Sequence, residues 1–399
     1  MSYSKVQFIS WELYTGPVKP ASGPASYPGI QNSQDKRLDT LSQCKDIEAR
    51  IAFTANALEA AHSKADPGAT TLKVFLAPEF LYRGAGGAYL HDLINGWEAA
   101  AAPELGLTAP FNAKWNGLFG GLQALVANDK YNDWVIVFGT AISASFPSFK
   151  DPLSNKYWLD NTKVATAYNT ALIQLGGSAN TAVNYASRKH YQSNIDFIAY
   201  HAGNTNTKFQ VGNILPLDPK ALIPADVFGE LEGSAGFNLA PVVGADGRTI
   251  DFGIEICLDH ARSNNGVNQW GRLRTANQNV RIQLVPSGGM SLVDASIRLQ
   301  PNGAAGASPH SYAFNVDGLN NLSPASAGSH TQIWNAGNNG AAVPLANKLY
   351  TASSGAALAH TQVVPVAGSV TTPNAGTVAA ATLWQKGAGA VRVVDPLPL

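Results

Sequence analysis

The chain has 399 residues, of which 45% are hydrophobic, 9% aromatic and only 14% charged, a composition that excludes a disordered chain and suits a substantial packed core. Lys plus Arg and Asp plus Glu number 27 each, so the basic excess of a nucleic-acid-binding protein is missing. No stretch approaches the roughly 18 unbroken apolar residues of a membrane span, and Met1 to Trp11 lack the charged start and long apolar centre of a secretory signal. A reducing cytoplasm is the expected compartment, with neither membrane nor nucleic acid as partner. Two cysteines, Cys44 and Cys257, make no disulfide framework, although one bridge is arithmetically open.

In chain order, Lys5–Trp11 reads as an opening strand, followed by a Gly/Pro/Ser-rich stretch from Gly16 to Ser33. Leu38, Leu41, Cys44, Ile47, Ile51 and Leu58 recur at helical spacing and predict a helix with one apolar face, ending near Asp66-Pro67-Gly68. Cys44 on that face reads as a small core residue. Short apolar strands are predicted at 72–79, 134–140, 169–175, 183–188, 250–256 and 280–286. Runs this short suit strands buried on both faces, and their layering with helices points to an α/β protein. Segments 84–130 and 196–230 read as long loops with short helices. The last hundred residues are rich in Ala, Gly, Asn and Ser. Without a clear linker they read as an elaborated part of one domain spanning 1–399, with strands at 361–366 and 390–394 able to join the same sheets, and a separate small β module is the alternative.

Three ionisable groups follow predicted strands. Glu79 comes after a strand and a proline, Lys189 after 183–188, and Cys257 after 250–256. Ligands in layered α/β proteins gather outside the carboxyl ends of strands. A carboxylate, an ammonium and a thiol there suit hydrolysis of a carbon–nitrogen bond. The thiol attacks as thiolate, Glu79 takes its proton, and Lys189 with the backbone N–H of Leu258 stabilises the oxyanion.

The motifs Ala77-Pro78-Glu79-Phe80, Tyr185-Ala186-Ser187-Arg188-Lys189-His190 and Gly253-Ile254-Glu255-Ile256-Cys257-Leu258-Asp259 stand in one order. In that order the sequence resembles the nitrilase, or carbon–nitrogen hydrolase, superfamily, most clearly over residues 5–300. The resemblance implies a four-layer α-β-β-α sandwich and a thioester mechanism without metal or organic cofactor. It implies Glu79 as base, Lys189 as oxyanion-stabilising cation and Cys257 as nucleophile, in a homodimer or larger homo-oligomer. It also implies a second glutamate between lysine and cysteine. Glu230 and Glu232 are the candidates, and Glu232 is preferred for its separation from Cys257 and the following Gly236. Tyr82, His190, Asp259 and Ser287 join Leu258 as positions for substrate contacts or support of the site, and Asp259 with Arg262 is expected to fix the turn after the nucleophile.

Leu258-Asp259 replaces the Trp-Glu that usually follows the nucleophile in nitrile-cleaving members, which favours a small-molecule amide over a nitrile as substrate. Nitrile hydrolysis, acyl transfer and a non-catalytic binding protein on the same fold stay open. A metal reading of Cys257-Leu258-Asp259-His260 lacks a second ligand pair at zinc spacing. A papain-like pairing with His190, His201 or His260 lacks any cysteine-protease signature around Cys257.

Overall fold

The computed structural model describes residues 2–22, 25–33, 35–160, 163, 165–191, 193, 195–196, 235–264, 266–300, 310–319, 330–335, 348–353 and 360–399. After strand β1 (Lys5–Glu12), helix α1 (Thr40–His62) begins where the Asp39 carboxylate accepts the Ser42 N–H, a side-chain cap for an otherwise orphaned donor. Cys44, Ile47, Phe53, Ala57 and Leu58 of α1 are fully buried. Leu41, expected on the same face, is 40% exposed; on a helix it lines up with Lys45 and Glu48, at the border of the buried stripe. The buried face also carries charge that apolar periodicity does not register. Arg50 Nε lies 2.7 Å from Asp46 Oδ1, and Arg50 Nη1 donates to Leu81 O at 2.7 Å.

Strands β2 (Thr71–Leu76), β3 (Trp134–Ser145), β4 (Thr166–Leu175) and β5 (Asn184–Arg188) follow, with helix α2 (Gly117–Val126) between β2 and β3. In one sheet the order is β5-β4-β3-β2-β1, continued by two late strands, β13 (Ala390–Val394) and β12 (Thr361–Pro365). The second sheet runs from Ser2–Tyr3 through β6 (Gly236–Gly244), β7 (Thr249–Ile254), β8 (Ile282–Ser287), β9 (Tyr312–Asp317) and β10 (His330–Asn335) to β11 (Lys348–Ser353). Segments after residue 300 therefore contribute strands to both sheets.

Alternation along the strands builds two cores at once. On one face, Val6 and Phe8 of β1, Val74 of β2 and Val135 and Val137 of β3 meet Phe252, Leu284, Phe314 and Ile333 of the second sheet. On the other, Ile9, Trp11, Phe75, Ile136 and Phe138 pack on α1 and α2. Burial on both faces accounts for the near-continuous apolar runs in the sequence. A buried polar link also crosses between the sheets, where Glu12 of β1 pairs with Arg392 of β13 at 2.9 Å and accepts from Thr331 of β10 at 2.6 Å. The outer face of the second sheet is covered, among the described residues, by short elements: the 3-10 turn Cys257–His260, helix α3 (Arg272–Thr275) and the turn Asp294–Ser296. A mixed α/β fold with two facing sheets is present. No described helix is long and apolar enough to cross a membrane.

Strand direction gathers the site at one edge. β1, β2 and β3 are mutually parallel, and two antiparallel steps through β4 return β5 to their direction. β7, β8 and β9 are likewise parallel. The carboxyl ends of the two sheets are stitched together by Glu79 N–H to Ser287 O (3.3 Å), Gly318 N–H to Ser287 O (2.9 Å) and Thr15 N–H to Gly318 O (3.0 Å).

Candidate active site

Glu79 follows β2 on a bend set by Phe80, whose φ is 66°. That left-handed backbone is uncommon for a residue with a side chain and is held here by neighbours. Phe80 N–H donates to Thr140 Oγ1 (2.9 Å), Tyr82 N–H to Thr140 O (3.1 Å), and Thr15 Oγ1 to Glu79 O (2.7 Å). Gly139 makes room for the bend: with φ of 74°, a side chain there would begin 2.3 Å from Pro78 O. Glu79 Oε1 then accepts from Asn169 Nδ2 (2.8 Å) and Lys189 Nζ (2.8 Å).

Lys189 continues the ladder past β5, its N–H donating to Asn169 O at 2.9 Å. Its ammonium also meets Asp196 Oδ1 at 2.7 Å, and Glu79, Lys189 and Asp196 are all fully buried. Asp196 is fixed in turn by the N–H and Oγ of Ser193, each at 3.0 Å. Arg83 stacks on Phe80 and Tyr27, 4.1 and 4.2 Å from the ring centroids, and donates to Asp196 O at 2.8 Å.

Cys257 opens the 3-10 turn after β7 with φ of 49°, a second left-handed residue with a side chain. Its thiol donates to Gly288 O at 3.9 Å. Gly288 is wedged beside Glu79, since a Cβ there would lie 2.6 Å from the Phe80 ring and 3.1 Å from Glu79 Oε2. Oε2 is buried without a hydrogen-bond partner. Leu258 is half-buried and its N–H heads the turn, where the first donors of a helical turn have no partner within it.

Burial pushes the Glu79 carboxyl up to about 7, with the Lys189 charge opposing and the Asp196 charge adding to the rise. Burial and the negative charge of Glu79 hold the Cys257 thiol well above its ordinary value against the pull of Lys189. For Lys189 burial works against the charged form, but Asp196, Cys257 and Glu79 outweigh it and the ammonium is held. The resting arrangement is therefore a neutral thiol, a fixed cation and a carboxyl poised near neutrality.

The other expected positions divide. Tyr82 is buried with its hydroxyl hydrogen-bonded to Thr54 of α1 (2.8 Å), on the helical side of the sheet; it supports the loop after Glu79. Ser287 lends its carbonyl to Glu79 and turns its Oγ to Asn315 Oδ1 (2.7 Å) and Met290 O (2.9 Å). His190 gives its backbone N–H to Asp259. Asp259 does not pair with Arg262: its carboxylate accepts from His190 and Tyr191 and meets Arg272 Nη1 at 3.4 Å. Glu230 and Glu232 lie outside the described residues. Asp196 and Asn169, which do contact the cluster, escape sequence reasoning. Asp196 stands seven residues beyond Lys189 with no motif to mark it, and Asn169 sits inside an apolar strand pattern. Among the described residues no group of three or more His, Cys, Asp or Glu side chains is arranged to hold a metal ion.

No protein-family model and no curated protein matches the chain. Among solved structures, similarity is found to an N-terminal amidase with a Gln-Val peptide at 12% identity and a TM-score of 0.26, covering 72% of this chain and 48% of that one. The same amidase without peptide gives 13% identity and a TM-score of 0.25. A mutant of Nesterenkonia AN1 amidase from the nitrilase superfamily gives 11% identity and a TM-score of 0.29, covering 100% of this chain and 92% of that one. The chain spans about half the length of the N-terminal amidase structures it matches.

Proposed function

We propose that this protein is a cysteine-dependent carbon–nitrogen hydrolase of the nitrilase type, acting on a non-peptide amide. The observation that carries the reading is one buried cluster at the strand ends: Lys189 Nζ 2.8 Å from Glu79 Oε1, with the Cys257 thiol on Gly288 O and Gly288 wedged against the same carboxyl. In the proposed reaction Glu79 accepts the thiol proton as sulfur attacks the carbonyl carbon, forming the C–S bond and a tetrahedral oxyanion. Lys189 and the Leu258 N–H stabilise that oxyanion. Glu79 returns its proton to the nitrogen as the C–N bond breaks, ammonia or an amine leaves, and a thioester remains. Glu79, again a carboxylate, takes a proton from water as it attacks; the acid departs and the thiol is re-formed with the proton held by Glu79.

Lys189 stays protonated throughout, the state its carboxylate neighbours favour. Asp196 supports this role by holding the ammonium opposite Glu79. The left-handed backbone of Cys257 supports a turn built to present one side chain, since such strain clusters at functional sites. Leu258 and Asp259 after the cysteine favour an amide over a nitrile. The reading is tested by competitive alkylation. With limiting iodoacetamide near pH 8, Cys257, whose proton Glu79 takes as the sulfur attacks, reacts at least tenfold faster than Cys44, which is fully buried on the core face of α1; equal sluggishness at both overturns the reading.

A further inference from the structure

Lys189 and Cys257 belong to different sheets, and the carboxylate of Asp259 spans the gap between their backbones. Both its oxygens lie within reach of the His190 N–H, at 3.0 and 3.1 Å, and Oδ1 also accepts the Tyr191 N–H at 2.8 Å. These donors are the first two after Lys189, and the acceptor stands two residues after Cys257. The bonds join segments 68 and 69 residues apart in the chain. Arg272 Nη1 closes the cluster at 3.4 Å from Oδ2, and Asp259 and Arg272 are both fully buried. A buried carboxylate with both oxygens engaged is not a substrate contact. It fixes backbone.

We propose that Asp259 is a positioning residue that locks the chain leaving Lys189 onto the turn carrying Cys257, and so sets the ammonium-to-sulfur distance. The inference rests on the catalytic reading above. One side chain replaces the ladder hydrogen bonds that these two segments, in separate sheets, do not exchange. A carboxylate suits the position because it only accepts, and at least three donors converge on it. An asparagine of the same shape offers one acceptor oxygen and turns an N–H₂ group toward those donors. Lys189 is then free to shift, and displacement of a reacting group by about 1 Å costs on the order of a hundredfold in rate.

The test compares Asp259→Asn with Arg272→Gln. Each leaves one member of the buried ion pair alone, so both lose thermal stability. Only Asp259→Asn removes acceptors from the Lys189 arm. The readout is the iodoacetamide alkylation rate of Cys257 against pH, followed by peptide mass. The charged groups bearing on Cys257 and Glu79 are Lys189 and Asp196, with Arg83 beside Glu79; Lys189 favours the ionised form of both titrating groups. Asp259→Asn is expected to slow alkylation at least tenfold and to move the midpoint of the profile to higher pH, whereas Arg272→Gln stays within about threefold of wild type. If Asp259→Asn does not fold, Asp259→Glu, one methylene longer, is read in its place and is expected to be several-fold slow. A wild-type rate and midpoint in the Asp259 variant, or an equal loss in Arg272→Gln, overturns the inference while a fast wild-type Cys257 leaves the catalytic reading standing. A wild-type Cys257 no faster than Cys44 overturns both.

Discussion

Lys189 Nζ and Glu79 Oε1 meet at 2.8 Å although β3 and β4 separate β2 from β5 in their sheet. The lysine crosses that distance because β5 is turned parallel to β2 and ends at the same edge. Asn169 of β4, between them, donates its side-chain N–H to the same Glu79 oxygen, and its backbone carbonyl accepts the Lys189 N–H. With Asp196 added, two carboxyls share one ammonium in a fully buried site. That balance disfavours a thiolate at Cys257, and in the proposed reaction it makes proton transfer to Glu79 part of the attack itself.

Replacing Glu79 by Gln keeps the shape and removes the base. In the proposed reaction turnover falls by about 10² to 10⁴-fold, the usual worth of a positioned general base. Ammonia release from any accepted amide measures it, with circular dichroism as the check that the fold is retained.

The carboxyl at about 7 sets the acid limb of the pH profile. Glu79 must be ionised to accept the thiol proton, so turnover rises as pH passes through about 7 and is lost below it. The sign for stability is opposite. A carboxyl raised by burial binds its proton more tightly in the folded state, so its favourable contribution is complete below the ordinary carboxylate value and disappears as pH climbs through about 7. Thermal unfolding between pH 5 and 8 shows a smaller stability loss with rising pH in Glu79→Gln than in wild type.

Asp196→Asn separates the two carboxyls. The Asp196 charge raises Glu79, so its removal moves the acid limb to lower pH. Turnover at the plateau drops roughly tenfold to a hundredfold as Lys189 loses one of its two anchors. A pH–rate profile of the variant reads both effects together.

Gly288→Ala places a methyl 3.1 Å from Glu79 Oε2 and 2.6 Å from the Phe80 ring. Either the carboxyl or the ring must shift, and turnover falls on the order of a hundredfold. Thermal melting and kinetics on the same sample check that this loss exceeds any loss of folded protein.

Much of this arrangement is legible in the sequence because it is local. Apolar runs bounded by Pro78, Lys189 and Cys257 mark strands and their ends, and burial on both faces explains why those runs are nearly unbroken. Helix α1 is legible from its period except at Leu38, which precedes the Asp39 cap, and at Leu41, where the stripe borders Lys45 and Glu48. The partners are harder to read. Asp196 reaches Lys189 by tertiary folding of a segment with no periodic pattern, and Asp259 serves the backbone of His190 and Tyr191 across 68 to 69 residues. Arg272, not the nearer Arg262, is its cation because α3 folds back under the turn. Tyr82 is drawn to Thr54 on α1, which an adjacent-motif reading has no means of seeing.

The central claim, that sulfur of Cys257 is the nucleophile in cleavage of a carbon–nitrogen bond, is tested most directly by ammonia release over a panel of amides, nitriles and carbamoyl compounds, wild type against Cys257→Ala. The account predicts release from at least one amide by wild type and none above buffer by the folded variant. Release by Cys257→Ala at a rate approaching wild type contradicts it.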